Sequence, residues 1–280
     1  MIRDSVSTTA IVRFSGVQYA SAEDMLAIEE PLEIQLAYRD NTGDAIQKSV
    51  SVTMRTPGND TALGAGFLFT EGILQHRDQV KEITVPEENK LLIRLAEGMQ
   101  PALNKTERNF YTTSSCGVCG KSSIDAIRTT TPYEVSQEQI QLQPELLYRL
   151  PSLLRAQQEL FDSTGGLHAS ALFDFEGNFI TLQEDVGRHN ALDKVIGAAF
   201  LNGQLPLHKV ILLLSGRASF ELVQKAAMAG IAVIAAVGAP SSLAVSLAAE
   251  QGITLAGFLR GERFNLYSAP GRIMNSKQQL

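Results

Sequence analysis

The chain has 280 residues, 44% of them apolar and 19% charged, enough to bury one full hydrophobic core and a second, smaller one. A formal net charge of -6 argues against sequence-blind binding to a nucleic-acid backbone, and 6% aromatics with no Trp argue against a base-stacking platform. Two cysteines are too few for a disulfide framework, so their value is chemical.

Met1 to Ala10 lacks the basic-then-apolar pattern of a secretory signal, and no run approaches eighteen apolar residues. The sequence therefore predicts a cytoplasmic protein without a membrane span. From Glu30 to Arg55 the apolar residues partly alternate (Leu32, Ile34, Leu36, then Val50, Val52, Met54), which predicts a small antiparallel sheet. The turn-rich Thr56-Pro57-Gly58-Asn59-Asp60 leads into a helix from Thr61 to Leu74, although Gly64, Gly66 and Gly72 lower its local propensity. Ile83 to Val85 and Leu91 to Leu95 read as a hairpin. Between Met99 and Pro132 the pattern dissolves into a hydroxyl-rich loop carrying Cys116-Gly117-Val118-Cys119-Gly120, after which Ser122 or Ser123 caps a short helix. A helix from Pro144 to Phe161, interrupted or kinked at Pro151, links the two halves.

Beyond Leu167 the signal is stronger. Ala171 to Phe175 and Phe179 to Gln183 form a hairpin around Glu176-Gly177-Asn178. Helices over His189 to Leu201, Phe220 to Ala229 and Ser241 to Gln251 then alternate with apolar strands over Val210 to Leu214, Ile231 to Val237 and Ile253 to Phe258. This order predicts βαβ crossovers and a parallel sheet covered on both faces. Two domains follow: an α+β unit over 1–140 ending in the cysteine loop, and an α/β unit over 141–280.

In such a sheet the loops leaving the carboxyl ends of the strands share one edge, where ligands bind. They read Glu184-Asp185-Val186-Gly187-Arg188-His189-Asn190, Ser215-Gly216-Arg217-Ala218-Ser219, Gly238-Ala239-Pro240-Ser241-Ser242 and Leu259-Arg260-Gly261-Glu262-Arg263. All contain glycine, three carry arginine, and three open onto helix N-termini, which favour anions. Together they describe a phosphate-binding rim, with arginine as the bidentate donor. The plainer reading makes them capped turns, with Asn190, Ser219 and Ser241 as N-caps and the arginines solvated.

Four explanations fit the cysteine pair: a zinc site completed by His168 and His189, a redox pair, inert packing, or a nucleophilic, sulfur-carrying thiolate. Lys121 and the helix that follows would lower a thiol pKa, and the flanking glycines leave the loop adaptable. His168, in Gly165-Gly166-Leu167-His168-Ala169-Ser170, invites comparison with zinc deaminases, but Ser170 stands where their Glu should be and the cysteines precede the histidine. A structural or cofactor-lining role suits His168 better.

Several blocks together resemble the formate dehydrogenase accessory sulfurtransferases, the FdhD family of sulfur carrier proteins. They are Phe69-Thr70-Glu71-Gly72-Ile73, Ser115-Cys116-Gly117-Val118-Cys119-Gly120, Thr164 to Ala169, Glu184 to Lys194, Ser215 to Ser219, and Gly257-Phe258 through Arg263 with Asn265 and Tyr267. The resemblance implies a cytidine-deaminase-like α/β/α domain with a mixed, mostly parallel sheet, joined to a smaller α+β domain, and a homodimer. It implies a sulfurtransferase that takes persulfide sulfur from a cysteine desulfurase. The acceptor it implies is the molybdenum bis-molybdopterin guanine dinucleotide cofactor, bound as substrate, which formate dehydrogenase, the client, requires; a guanine nucleotide would serve as its mimic. By the same resemblance Cys116 bears the persulfide and Cys119 is a second thiol, while the cofactor segment falls on Phe258, Leu259, Arg260, Gly261, Glu262 and Arg263. Arg217, Arg188 and His189 join that segment from the rim. A non-enzymatic cofactor chaperone with a structural or zinc-binding cysteine pair is the alternative, and a nucleotide deaminase is a third.

Overall fold

The computed structural model describes residues 5–103, 131–134 and 140–273. Cys116, Cys119, Lys121 and the helix expected after Ser122 lie outside the described residues.

The chain opens with an antiparallel ribbon, β1 (Val6–Ser15) and β2 (Gln18–Ala27), which pairs with no other strand among the described residues. A four-stranded sheet follows, built from β3 (Glu30–Arg39), β4 (Ala45–Arg55), β5 (Val80–Glu87) and β6 (Lys90–Leu95) in the order β4-β3-β6-β5. Both expected hairpins are present, with β3 and β6 joined in parallel. Leu32, Ile34 and Leu36 fill one face, as their alternation requires.

Helix α1 (Asp60–Thr70) is buried nearly all round, between this sheet and the second half of the chain. It stops four residues before the expected Leu74. Gly72 takes a left-handed turn at φ 73°, and the N–H of Ile73 returns to the carbonyl of Leu68, closing the helix end.

The larger sheet has the order β12-β11-β10-β9-β7-β8. Its strands are β7 (His168–Phe173), β8 (Phe179–Asp185), β9 (Ile211–Leu214), β10 (Val233–Ala236), β11 (Thr254–Arg260) and β12 (Arg263–Ser268). β7 is antiparallel to both β8 and β9, and β9, β10 and β11 are mutually parallel, so four of the six strands run one way. The expected mixed, mostly parallel sheet is thus observed. Helices α4 (Arg188–Leu201), α5 (Phe220–Met228) and α6 (Ser242–Glu250) connect these four strands, each step moving the same way across the sheet. Right-handed crossovers then put all three helices on one face, where α4 meets α5 and α5 meets α6. Helix α2 (Pro144–Arg155) packs on β9 and β11 from the other face, followed by the short α3 (Glu159–Thr164).

Three sequence expectations need correction. Helix α2 continues through Pro151 and breaks only after Arg155, because Leu146, Leu147, Leu150 and Leu154 hold both sides of the proline in the core. Asn190 is no N-cap: Gly187 holds that position, and Asn190 lies within the first turn of α4. Leu259 to Arg263 is no open loop, since its ends belong to β11 and β12 and only Gly261-Glu262 forms the turn.

Candidate functional site at the carboxyl edge of the sheet

Because β8, β9, β10 and β11 run the same way, the four loops emerge on one edge, with His168 at the start of the antiparallel β7 among them. The loops interlock through their backbones. The N–H of Val237 donates to the carbonyl of Leu214 (3.0 Å), that of Gly238 to Gly216 (2.9 Å), and that of Phe258 to Gly238 (3.1 Å). A side chain at Gly238 would sit 2.9 Å from the backbone of Gly216, so glycine is required for the two loops to touch.

The rim is anchored from beneath by the Glu184-to-Lys194 block. Glu184 accepts hydrogen bonds from the N–H groups of Leu160 (3.1 Å) and Phe161 (3.0 Å), fixing the start of α3 above the edge; burial raises its pKa. Asp185 is fully buried. It accepts from the N–H groups of Thr56 (3.2 Å) and Gly187 (2.8 Å) and from Asn190 Nδ2 (3.1 Å), and pairs with Lys194 Nζ at 2.7 Å. Burial pushes the Asp185 carboxyl up, against the pull of Lys194. Asn190 therefore works as a loop clamp, donating also to the carbonyl of Met54 (2.7 Å).

Between these anchors the block carries Arg188, half-buried, and His189, buried just inside the edge. Arg188 begins α4, and its Nε is buried with no hydrogen-bond partner among the described residues. His189 Nε2 shares a hydrogen bond with Ser219 Oγ (3.3 Å) and lies 3.8 Å from Glu221 Oε2. The histidine, as hydrogen-bond partner, lowers the Glu221 carboxyl to about 2, so this partner stays anionic. Ser219 stands at the N-cap of α5 as expected, but with no capping hydrogen bond from its side chain. Ser241 does cap α6, accepting from the N–H of Ala244 at 3.2 Å.

His168 is half-buried. Burial, then the charges of Arg188 and His189, lower its pKa, with Arg217 adding to them. The charges of Arg188, His189 and Arg217 thus all act on His168, which rim composition alone did not include. A residue added to Gly216 would come 3.3 Å from the His168 Nδ1, so the second loop closes directly over this ring. His168, Ser215, Gly216 and Val237 form one wall of a cleft of about 660 Å³, with Arg155 and Phe161 opposite. Arg155 lies 4.4 Å from the centre of the Phe161 ring. No spacing in the sequence linked α2 and α3 to this edge.

The segment Phe258 to Arg263 reaches the rim by one end only. Phe258 is bonded to Gly238 and holds a left-handed φ of 54°, a strained backbone for a non-glycine residue, with its ring partly exposed. Arg260 and Arg263 are paired across the ladder at the exposed tip of the β11–β12 hairpin, which Gly261 closes at φ 55°.

A family model for the FdhD/NarQ family matches residues 27–274. This chain belongs to that family. The chain is 50% identical over 273 residues to a sulfur carrier protein FdhD of Streptomyces avermitilis, covering 94% of each chain. It is 48% identical to one of Mycolicibacterium paratuberculosis, covering 95% of this chain and 98% of the relative. An archaeal relative of the same name, from Sulfolobus acidocaldarius, is 41% identical over 91% of this chain and 93% of its own. The fold matches that of a chain from Desulfotalea psychrophila assigned as a formate dehydrogenase accessory protein, with a TM-score of 0.72 and 24% identity over 96% of this chain and 100% of that one. FdhD/NarQ membership thus embraces both sheets and the whole rim. Among the described residues, no helix is long and apolar enough to cross a membrane.

Proposed function

We propose that this FdhD/NarQ protein is a sulfur carrier that passes persulfide sulfur from a cysteine desulfurase to a molybdenum bis-molybdopterin guanine dinucleotide, for the benefit of a formate dehydrogenase. The relatives' name supplies the sulfur chemistry. The observation that carries the acceptor's class is the meeting of Arg188, His189 and Arg217 with three helix N-termini at one glycine-lined edge, an arrangement suited to pyrophosphate oxygens. Phe258, strained and half-exposed where the last loop joins, supports a base or pterin contact by Phe258 to Arg263.

In this reading Cys116 is the nucleophile. Its thiolate attacks the outer sulfur of the donor's persulfide; a new sulfur–sulfur bond forms on Cys116, and the donor cysteine leaves as a thiolate. Cys119 assists, and the rim holds the acceptor while the loaded loop delivers to it.

Intact-mass analysis after incubation with a cysteine desulfurase and cysteine tests the reading. Wild type is expected to gain one sulfur atom per chain, Cys116→Ala none, and Cys119→Ala a partial gain. No gain in the wild type would leave a cofactor chaperone in its place.

A further inference from the structure

The four-stranded sheet carries a basic cleft of its own, apart from the rim. Because β3 and β6 are parallel, Arg39 at the end of β3 lies beside Leu95 to Glu97 at the end of β6, next to the starts of β4 and β5. The cleft they enclose measures about 430 Å³. Its floor is made of small residues. Ala37 is flanked by Gln47 and Arg94 on the neighbouring strands and Arg39 stands opposite Ala45, all on the face turned away from Leu32, Ile34 and Leu36. A β-bulge completes the wall: Lys81 is the extra residue between the pairs Val80–Leu95 and Glu82–Arg94. Such a bulge re-aims a side chain, and Lys81 joins the lining.

Arg39, Lys81 and Arg94 thus meet one lining carboxylate, Glu97, on a chain whose 30 acidic residues outnumber its 24 basic ones. All three cations are exposed. Arg39 is fixed at the mouth by donating from Nη1 to the carbonyl of Gly43 (2.7 Å). Arg94 has a loose partner in Glu82 at 3.6 Å, a half-exposed pair that contributes little in water. Arg39 and Arg94 occupy diagonal positions on adjacent strands, roughly 7 to 8 Å apart, close to the spacing of roughly 7 Å between alternate residues of an extended peptide. Alternate carboxylates of an acidic segment suit that pair better than a single inorganic anion does.

The position of the cleft matters as much as its charge. β4 runs from Ala45 in the cleft to Arg55, beside the Thr56 that Asp185 grips beneath the rim, which separates the two basic sites by about 30 Å. Gln100 donates from Nε2 to the carbonyl of Arg39 (2.6 Å), so the chain leaves this cleft on its way to Cys116. We propose that the cleft docks an acidic segment of the sulfur donor, an inference that rests on the carrier reading above. Two separate basic sites then let the donor protein and the anionic acceptor be held without displacing each other.

The test follows sulfur loading of the full chain by intact mass and measures its affinity for a cysteine desulfurase directly, with free cysteine persulfide as a second donor that needs no docking. The variant Lys81→Glu/Arg94→Glu alters only exposed side chains and should leave the circular dichroism unchanged. Its affinity for the desulfurase and its rate of loading from it should fall at least about tenfold at low salt, with the gap closing at about 0.5 M salt. Loading from cysteine persulfide should match wild type. Should the double variant misfold, Lys81→Glu alone is expected to shift both readouts the same way. Unchanged desulfurase affinity and loading would overturn the proposal. So would an equal loss in the charge-matched variant Lys90→Glu/Lys209→Glu, which lies away from the cleft, because net charge alone would then explain it. An equal loss with both donors would assign the cations to the thiol's reactivity and not to docking. A wild type that loads from cysteine persulfide but does not bind the desulfurase would end the docking proposal alone, whereas one that loads from neither donor would end the carrier reading itself.

Discussion

At the head of β7 the His168 imidazole is half-buried beside Arg188, His189 and Arg217, and burial, followed by the first two of these charges, lowers its pKa. The folded protein thus binds fewer protons at this site than the unfolded chain does. The stability contributed by neutral His168 is complete above the ordinary value of 6.5 and is lost as pH falls through the lower folded value. A bound anion would cancel part of the cationic contribution. NMR titration of the imidazole, assigned with His168→Gln, is therefore expected to give a midpoint below 6.5 in the free protein and a higher one with a guanosine diphosphate probe. An unchanged midpoint would remove Arg188 and Arg217 from the anion's surroundings. The arginines and glycines of this edge were legible in the sequence because they recur where parallel strands end. The scaffold roles of Asp185, Asp193 and Lys194 were not, since Thr56 and Thr70, which they bind, lie more than a hundred residues away in the chain.

Helices α1 and α4 cross with almost no side chain between them. A Cβ on Gly66 would lie 1.9 Å from the carbonyl oxygen of Asp193, and one on Gly197 would lie 1.9 Å from that of Ala62. Of the three glycines that lowered the helical propensity of 61–74, Gly66 permits this approach, while Gly64 makes room for Leu91 of β6, tertiary demands invisible to a local count. Gly197→Ala is expected to destabilise the protein by about 1 to 3 kcal/mol, although alanine in an open helix would gain about 1 kcal/mol. Urea unfolding measures the sign; a gain would mean that the helices separate without cost. The elements missed from sequence have other causes. The ribbon builds no core face and mixes Thr, Ser and Ala with its larger apolar residues, so the alternation that reveals a half-buried strand has little contrast there, whereas β12 does alternate, with Phe264 and Leu266 against the core, but over only six residues.

The two halves of the chain are tied by charge as well as by packing. Lys225 on α5 pairs with Asp193 on α4 at 2.9 Å and donates to Thr70 at the end of α1 (2.8 Å), all three being buried. Thr70 also donates to Asp193 at 2.8 Å, and Glu71 lies 3.4 Å from the same lysine. Beside the rim, Lys194 reaches the carbonyl of Thr56 at 2.8 Å while holding Asp185. Neither cluster is complete within 1–140 or within 141–280, and a buried charge deprived of its partner is costly. Lys225→Met should therefore destabilise by about 3 to 5 kcal/mol, while adding Asp193→Asn should cost less than the two single changes combined. Because the partners come from both halves, calorimetry of the intact chain is expected to show one transition, which Lys225→Met shifts as a whole. Two transitions, with only the second half moved by Lys225→Met, would mean that the halves fold apart and that α1 merely rests on α4. A single transition would make the rim's geometry depend on the N-terminal sheet: Thr56, at the end of β4, is what Asp185 and Lys194 grip beneath Arg188 and His189.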